Sequence, residues 1–105
     1  MSYTPLHVHS EYSLLDGLSK TSQIASRIKD IGATSCALTD HGTVSGAVDF
    51  VKTMKDNGLK PILGCEVYIC HGDSKDRTPD NKGLFHQVIL AKNLEGWKAL
   101  LELVA

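Results

Sequence analysis

Short apolar runs alternate along the chain with stretches of helical periodicity, an order that predicts an α/β fold. The first run is Leu6-His7-Val8-His9, followed by a polar loop through Asp16-Gly17. Ile24, Ala25, Ile28 and Ile31 then recur at helical spacing, with Ser19, Thr21 or Ser22 as the expected cap and Gly32 as the stop. Ser35-Cys36-Ala37-Leu38-Thr39 reads as a buried strand ending at Asp40-His41-Gly42. A second helix places Ala47, Val48, Val51 and Met54 at core spacing and ends at Asn57-Gly58. Pro61-Ile62-Leu63-Gly64-Cys65 forms a third strand that runs on through Val67-Tyr68-Ile69. Residues 71–84 are polar and turn-rich and read as a variable surface loop. His86-Gln87-Val88-Ile89-Leu90-Ala91 makes a fourth strand, and Asn93 caps a last helix with Trp97, Leu100, Leu101 and Val104 on its apolar face. This alternation implies parallel strands with right-handed crossovers, and functional groups at the carboxyl ends of the strands.

Composition narrows the picture. The 105 residues are enough for one domain or part of one. Eleven Lys and Arg against twelve Asp and Glu give a net charge of -1, which argues against a free-standing basic nucleic-acid binder. No apolar run approaches the roughly 20 residues that span a bilayer. The first residues, Met1 to Pro5, lack the basic start and apolar stretch of a signal peptide. A soluble, cytoplasmic protein without membrane contact is therefore expected. Cys36, Cys65 and Cys70 form no CxxC pair, which leaves no disulfide framework or thiolate zinc knuckle to expect. Cys65, among apolar neighbours, is expected to be a buried and inert thiol. The unusual feature is five histidines in so short a chain.

Those histidines fall where chemistry is expected. Residues two apart on a strand share a face about 6.6 Å apart, so His7 and His9 can bite one ion or lie between two. They can equally be a pair of hydrogen-bonded surface histidines. Asp16 precedes a glycine and reads as a turn aspartate unless it joins such a group. In Asp40-His41-Gly42, His41 is a candidate ligand and Asp40 a candidate catalytic carboxylate, or else a cap for the next helix. Glu66 sits in the apolar run KPILGCEVYI, where an unneutralised carboxylate is costly to bury. His86 opens a strand and could be a satisfied structural histidine, and His71 reads as a solvated bystander. Taken together, His7, His9, Asp16, His41, Glu66 and His86 mix imidazole with oxygen donors, a set that suits Zn²⁺, Mn²⁺ or Fe²⁺ better than Ca²⁺ or Mg²⁺. They are too many for one catalytic zinc, which points to a di- or trinuclear centre of the kind that clamps phosphate oxygens. No GxSxG, P-loop or GxGxxG competes.

The strings LHVHSEYSLLDG, ALTDHGTVSGAVDF, KPILGCEVYI and HQVILAKNLEGWKALLEL resemble, in order and spacing, the amino-terminal PHP (polymerase and histidinol phosphatase) domain of the bacterial family C replicative polymerases, the DNA polymerase III alpha subunits. The resemblance covers nearly the whole chain, residues 1–105, with 71–84 the variable stretch. It implies that His7, His9, Asp16, His41, Glu66 and His86 match the family's metal ligands. It also implies part of a distorted (β/α)₇ TIM-like barrel, with up to three divalent ions and metal-dependent phosphoesterase activity such as 3′→5′ proofreading. The family's later ligands have no counterpart in this sequence, nor do polymerase palm, fingers or thumb. The chain then reads as the amino-terminal portion of a larger product or as a short homologue. It is expected to be inactive alone and open to self-association.

The partners so implied are DNA, the remainder of a polymerase chain and replisome subunits. Two other readings stand beside this one. One is a non-catalytic PHP scaffold. The other is a separate PHP phosphatase of the histidinol-phosphatase type.

Overall fold

The computed structural model describes residues 3–13, 17–69 and 85–105. In chain order these contain α1 (Thr21–Asp30), β1 (Ser35–Leu38), α2 (Ala47–Asp56), β2 (Lys60–Ile69), β3 (Phe85–Leu90) and α3 (Leu94–Val104). The strands form one sheet with β2 in the middle. β1 runs parallel to the start of β2, from Ser35 opposite Lys60 to Leu38 opposite Leu63. β3 runs antiparallel to the rest of β2, from Gly64 opposite Leu90 to Ile69 opposite Phe85.

The expected all-parallel arrangement is thus corrected at β3. A parallel pair needs a crossover of a dozen or more residues, usually a helix. α2 supplies one between β1 and β2. The sequence between Ile69 and Phe85 has no helical apolar spacing, and β3 returns beside β2 in the opposite direction. The loop expected at 71–84 lies outside the described residues.

A second correction concerns Leu6-His7-Val8-His9, which is no regular strand. It lies along β1, with the Ala37 N–H donating to the Pro5 carbonyl and the Thr39 N–H to the Val8 carbonyl, both at 2.8 Å. Two steps along β1 therefore match three along this segment. The Val8 N–H turns to the Thr39 hydroxyl at 3.0 Å, and the extra residue breaks the ladder.

The helices end as their sequences dictate but do not all begin so. Gly32 and Gly58 take positive φ, 76° and 70°, just past α1 and α2. The Asn93 carboxamide oxygen accepts from the Gly96 N–H at 2.9 Å and caps α3. α1 instead starts after Lys20, whose N–H donates to the Gln23 side chain at 2.8 Å. The Thr21 hydroxyl, an expected cap, reaches across to Asp49 of α2 at 2.9 Å.

Ile24, Ala25 and Ile28 of α1 pack with Cys36, Leu38, Phe50, Met54 and Leu59 to form the core. On α2 the buried stripe is Ala47, Phe50 and Met54; Val48, expected inside, is 82% exposed, and Val51 is half-buried. On α3 only Leu100 is fully buried, with Trp97 and Val104 half-buried and Leu101 exposed. Gly64 lets β2 and β3 close up, since a Cβ there would collide with the Ile89 carbonyl.

Burial pushes the Cys36 thiol up to about 11. The unfolded chain therefore gives up this proton first, and above the ordinary thiol value of 9.0 stability falls until the folded thiol also ionises. Unfolding free energies from urea titrations between pH 8 and 11 should decline less steeply in Cys36→Ala than in the parent, by about 2–3 kcal/mol at the alkaline end. Parallel curves would contradict this. Cys65 is also buried, and burial raises its thiol too, as expected of an inert group.

Candidate metal centre

Glu66 is the centre around which the site is built. Beyond Leu38 the chain stays beside β2, with the Glu66 N–H donating to the Asp40 carbonyl and the Gly42 N–H to the Glu66 carbonyl, both at 2.9 Å. That bridge sets His41 against Glu66. On the other edge of β2, the β3 register puts Val88 opposite Glu66 and His86 opposite Tyr68. The irregular segment along β1 delivers His7 and His9.

Four imidazoles converge on this one carboxylate. Glu66 Oε1 lies 3.1 Å from His7 Nε2 and 3.6 Å from His86 Nδ1. Oε2 lies 2.9 Å from both His9 Nε2 and His41 Nε2. The His7 and His9 rings are 5.2 Å apart, those of His9 and His41 4.4 Å, and those of His41 and His86 5.3 Å. Two candidate ligand groups result, His7, His9 and Glu66, and His41, Glu66 and His86, with donor atoms in each within 4.8 Å of one another. Glu66 belongs to both.

Burial of the Glu66 carboxyl opposes its ionisation. His41 and His7, with the His9 hydrogen bond, outweigh that cost and hold it below the ordinary 4.5. A carboxylate offers about four acceptor positions, and four imidazoles would use them all. Nitrogen and oxygen donors in this mixture fit a borderline divalent cation, whose charge would neutralise Glu66 while the ring nitrogens bind through their lone pairs. The donor set therefore fits a metal.

Asp40, the expected catalytic carboxylate, belongs to neither ligand group. It is 1% exposed, and its oxygens accept from the Ser10 N–H at 2.6 Å, the Ser10 hydroxyl at 2.8 Å and the Ser13 hydroxyl at 2.7 Å. Ser13 Oγ in turn accepts the His41 N–H at 2.9 Å. Asp40 thus ties the backbone next to His9 to the backbone of His41.

Of the six candidate ligands, the structure brings His7, His9, His41 and His86 around Glu66. Asp16 and His71 lie outside the described residues. Sequence reasoning missed Ser10 and Ser13, whose only signal is adjacency to the His-x-His pair. It also missed Tyr68, which strand alternation puts on the face of Glu66.

Residues 5–105 match the family described as the PHP domain. The DNA polymerase III subunit alpha of Helicobacter pylori (strain J99) is 47% identical over 100 residues, 95% of this chain and 8% of that protein. Its counterpart in Campylobacter jejuni is 48% identical over 101 residues, 96% of this chain and 8% of that protein. The chain thus spans about 8% of the length of these curated relatives. A solved structure from Bifidobacterium adolescentis, described as that of a putative metal-dependent phosphoesterase, superposes with a TM-score of 0.64, at 19% identity, over 94% of this chain and 32% of that one. That likeness is one of fold. No helix among the described residues is long and apolar enough to cross a membrane.

Proposed function

This chain belongs to the PHP domain family, and from that premise we propose that it contributes the metal-binding part of a phosphoesterase in a bacterial DNA polymerase III alpha subunit. The carrying observation is a single buried carboxylate, Glu66, faced by four imidazoles at 2.9–3.6 Å. The substrate class is DNA with an accessible 3′ end, and the chemistry is phosphodiester hydrolysis of the proofreading kind. Zn²⁺ or Mn²⁺ suits the donors best, with Fe²⁺ next.

His7, His9 and Glu66 would hold one ion, and His41, Glu66 and His86 a second, with Asp16 proposed as a further ligand. Bound there, divalent ions would supply Lewis acidity toward phosphate oxygens and a more acidic water. The protein's own contribution is orientation. Glu66 gives both groups one shared negative charge, and Asp40 fixes the two backbone stretches that carry His9 and His41. Asp40 is therefore a positioning residue in this reading. The proposed partners are DNA, the rest of a polymerase chain and other replisome subunits, in the cytoplasm.

Binding discriminates this reading from its rivals. The Zn(II)-loaded chain should retain a single-stranded oligonucleotide in preference to histidinol phosphate, and release it on chelation. Preference for histidinol phosphate would favour a small-molecule phosphatase. Retention that ignores the metal would favour a scaffold.

A further inference from the structure

Tyr68 lies two residues beyond Glu66 on the same face of β2 and is 59% exposed. Two of the candidate ligands brace it. Its ring lies edge-to-face with His86 at 4.8 Å, and nearly parallel to His41 at 6.1 Å with 18° between the planes. More than half of an aromatic side chain is thus held in a defined orientation and left open beside the Glu66 cluster.

We infer that Tyr68 is the stacking contact for a nucleobase whose phosphate sits at the Glu66 cluster. The inference rests on the phosphoester reading above and adds what that cluster cannot supply, selection of a nucleotide over other phosphate esters. A nucleotide carries its base one sugar away from its phosphate, and Tyr68 stands one side chain away from Glu66 along the strand. Charge points the same way. With eleven basic and twelve acidic residues, the chain lacks the positive excess that tracks a phosphate backbone. Stacking on an aromatic face remains as the mode of recognition, one that every base can use.

The test is calorimetric titration of the Zn(II)-loaded chain with thymidine 5′-monophosphate and, separately, with inorganic phosphate. It uses the parent, Tyr68→Phe and Tyr68→Leu, with metal content measured for each. The parent should prefer the nucleotide. Tyr68→Leu should lose about tenfold in nucleotide affinity, the effect of one lost stack, and bind phosphate as before. Tyr68→Phe should keep the preference.

Unchanged nucleotide binding by the Leu variant, or equal loss for both ligands, would overturn the inference. Should that variant fail to fold or lose metal, the parent's Tyr68 ring-proton shifts decide. Nucleotide must move them upfield and phosphate must not; any other pattern overturns the inference. A parent that binds phosphate without preferring the nucleotide removes the role of Tyr68 alone. A parent that binds neither removes the phosphoester reading with it.

Discussion

Glu66→Gln should lower the affinity of the protein for Zn(II) by roughly a hundredfold or more, since even residues that only support metal ligands cost about 10–100-fold when changed. The amide matches the carboxylate in size, so the packing around it is kept. What disappears is the negative charge that both ligand groups share. One amide oxygen remains as an acceptor, and the amide nitrogen presents N–H to rings that now meet two oxygens. Calorimetric titration reads the loss, with circular dichroism establishing that the variant is folded. An affinity within tenfold of the parent would mean that Glu66 does not join the two groups.

Asp40→Ala should be the most destabilising single change near the site, through a different cause. It strands three buried donors, the Ser10 N–H and the Ser10 and Ser13 hydroxyls, which now lie 2.6–2.8 Å from the carboxylate. At about 1–3 kcal/mol for each unsatisfied buried group, the loss should be about 3 kcal/mol or more. That is a large share of the roughly 5–15 kcal/mol that keeps a domain folded. Asp40→Asn keeps one acceptor, and both hydroxyls can turn to meet the amide, so its loss should be smaller. Urea unfolding in the presence of chelator separates this effect from metal binding. A loss below about 1 kcal/mol in the Ala variant would show that the serine–aspartate network is not what holds the segment.

The helices and the clustering of histidines around Glu66 are the most legible features of the sequence, for a physical reason. Ile24, Ala25 and Ile28 bury one face of α1 because helical periodicity is a local property of the chain. The carboxylate in KPILGCEVYI announced itself by its cost, since burying Glu66 demanded positive or donor groups nearby, and four imidazoles provide them. The direction of β3 was not legible in the same way. It depends on how the chain returns after Ile69, because the apolar pattern of a strand does not encode its direction. On α2, Val48 and Phe50 are both apolar, and which of them turns inward depends on where the sheet lies.

Asp40 illustrates the same boundary. A carboxylate beside a histidine at a strand end invites a chemical role. Its hydrogen-bond partners in the fold are Ser10 and Ser13, about 30 residues earlier, which tertiary structure alone brings within reach.

The central claim is that the Glu66 cluster is a metal centre, and elemental mass spectrometry of protein purified without chelator tests it most directly. The chain should carry at least one Zn, Mn or Fe ion, and two if both ligand groups fill. In a parallel His9→Ala sample that content should fall. Metal absent from the parent, or present equally in both proteins, would contradict the account.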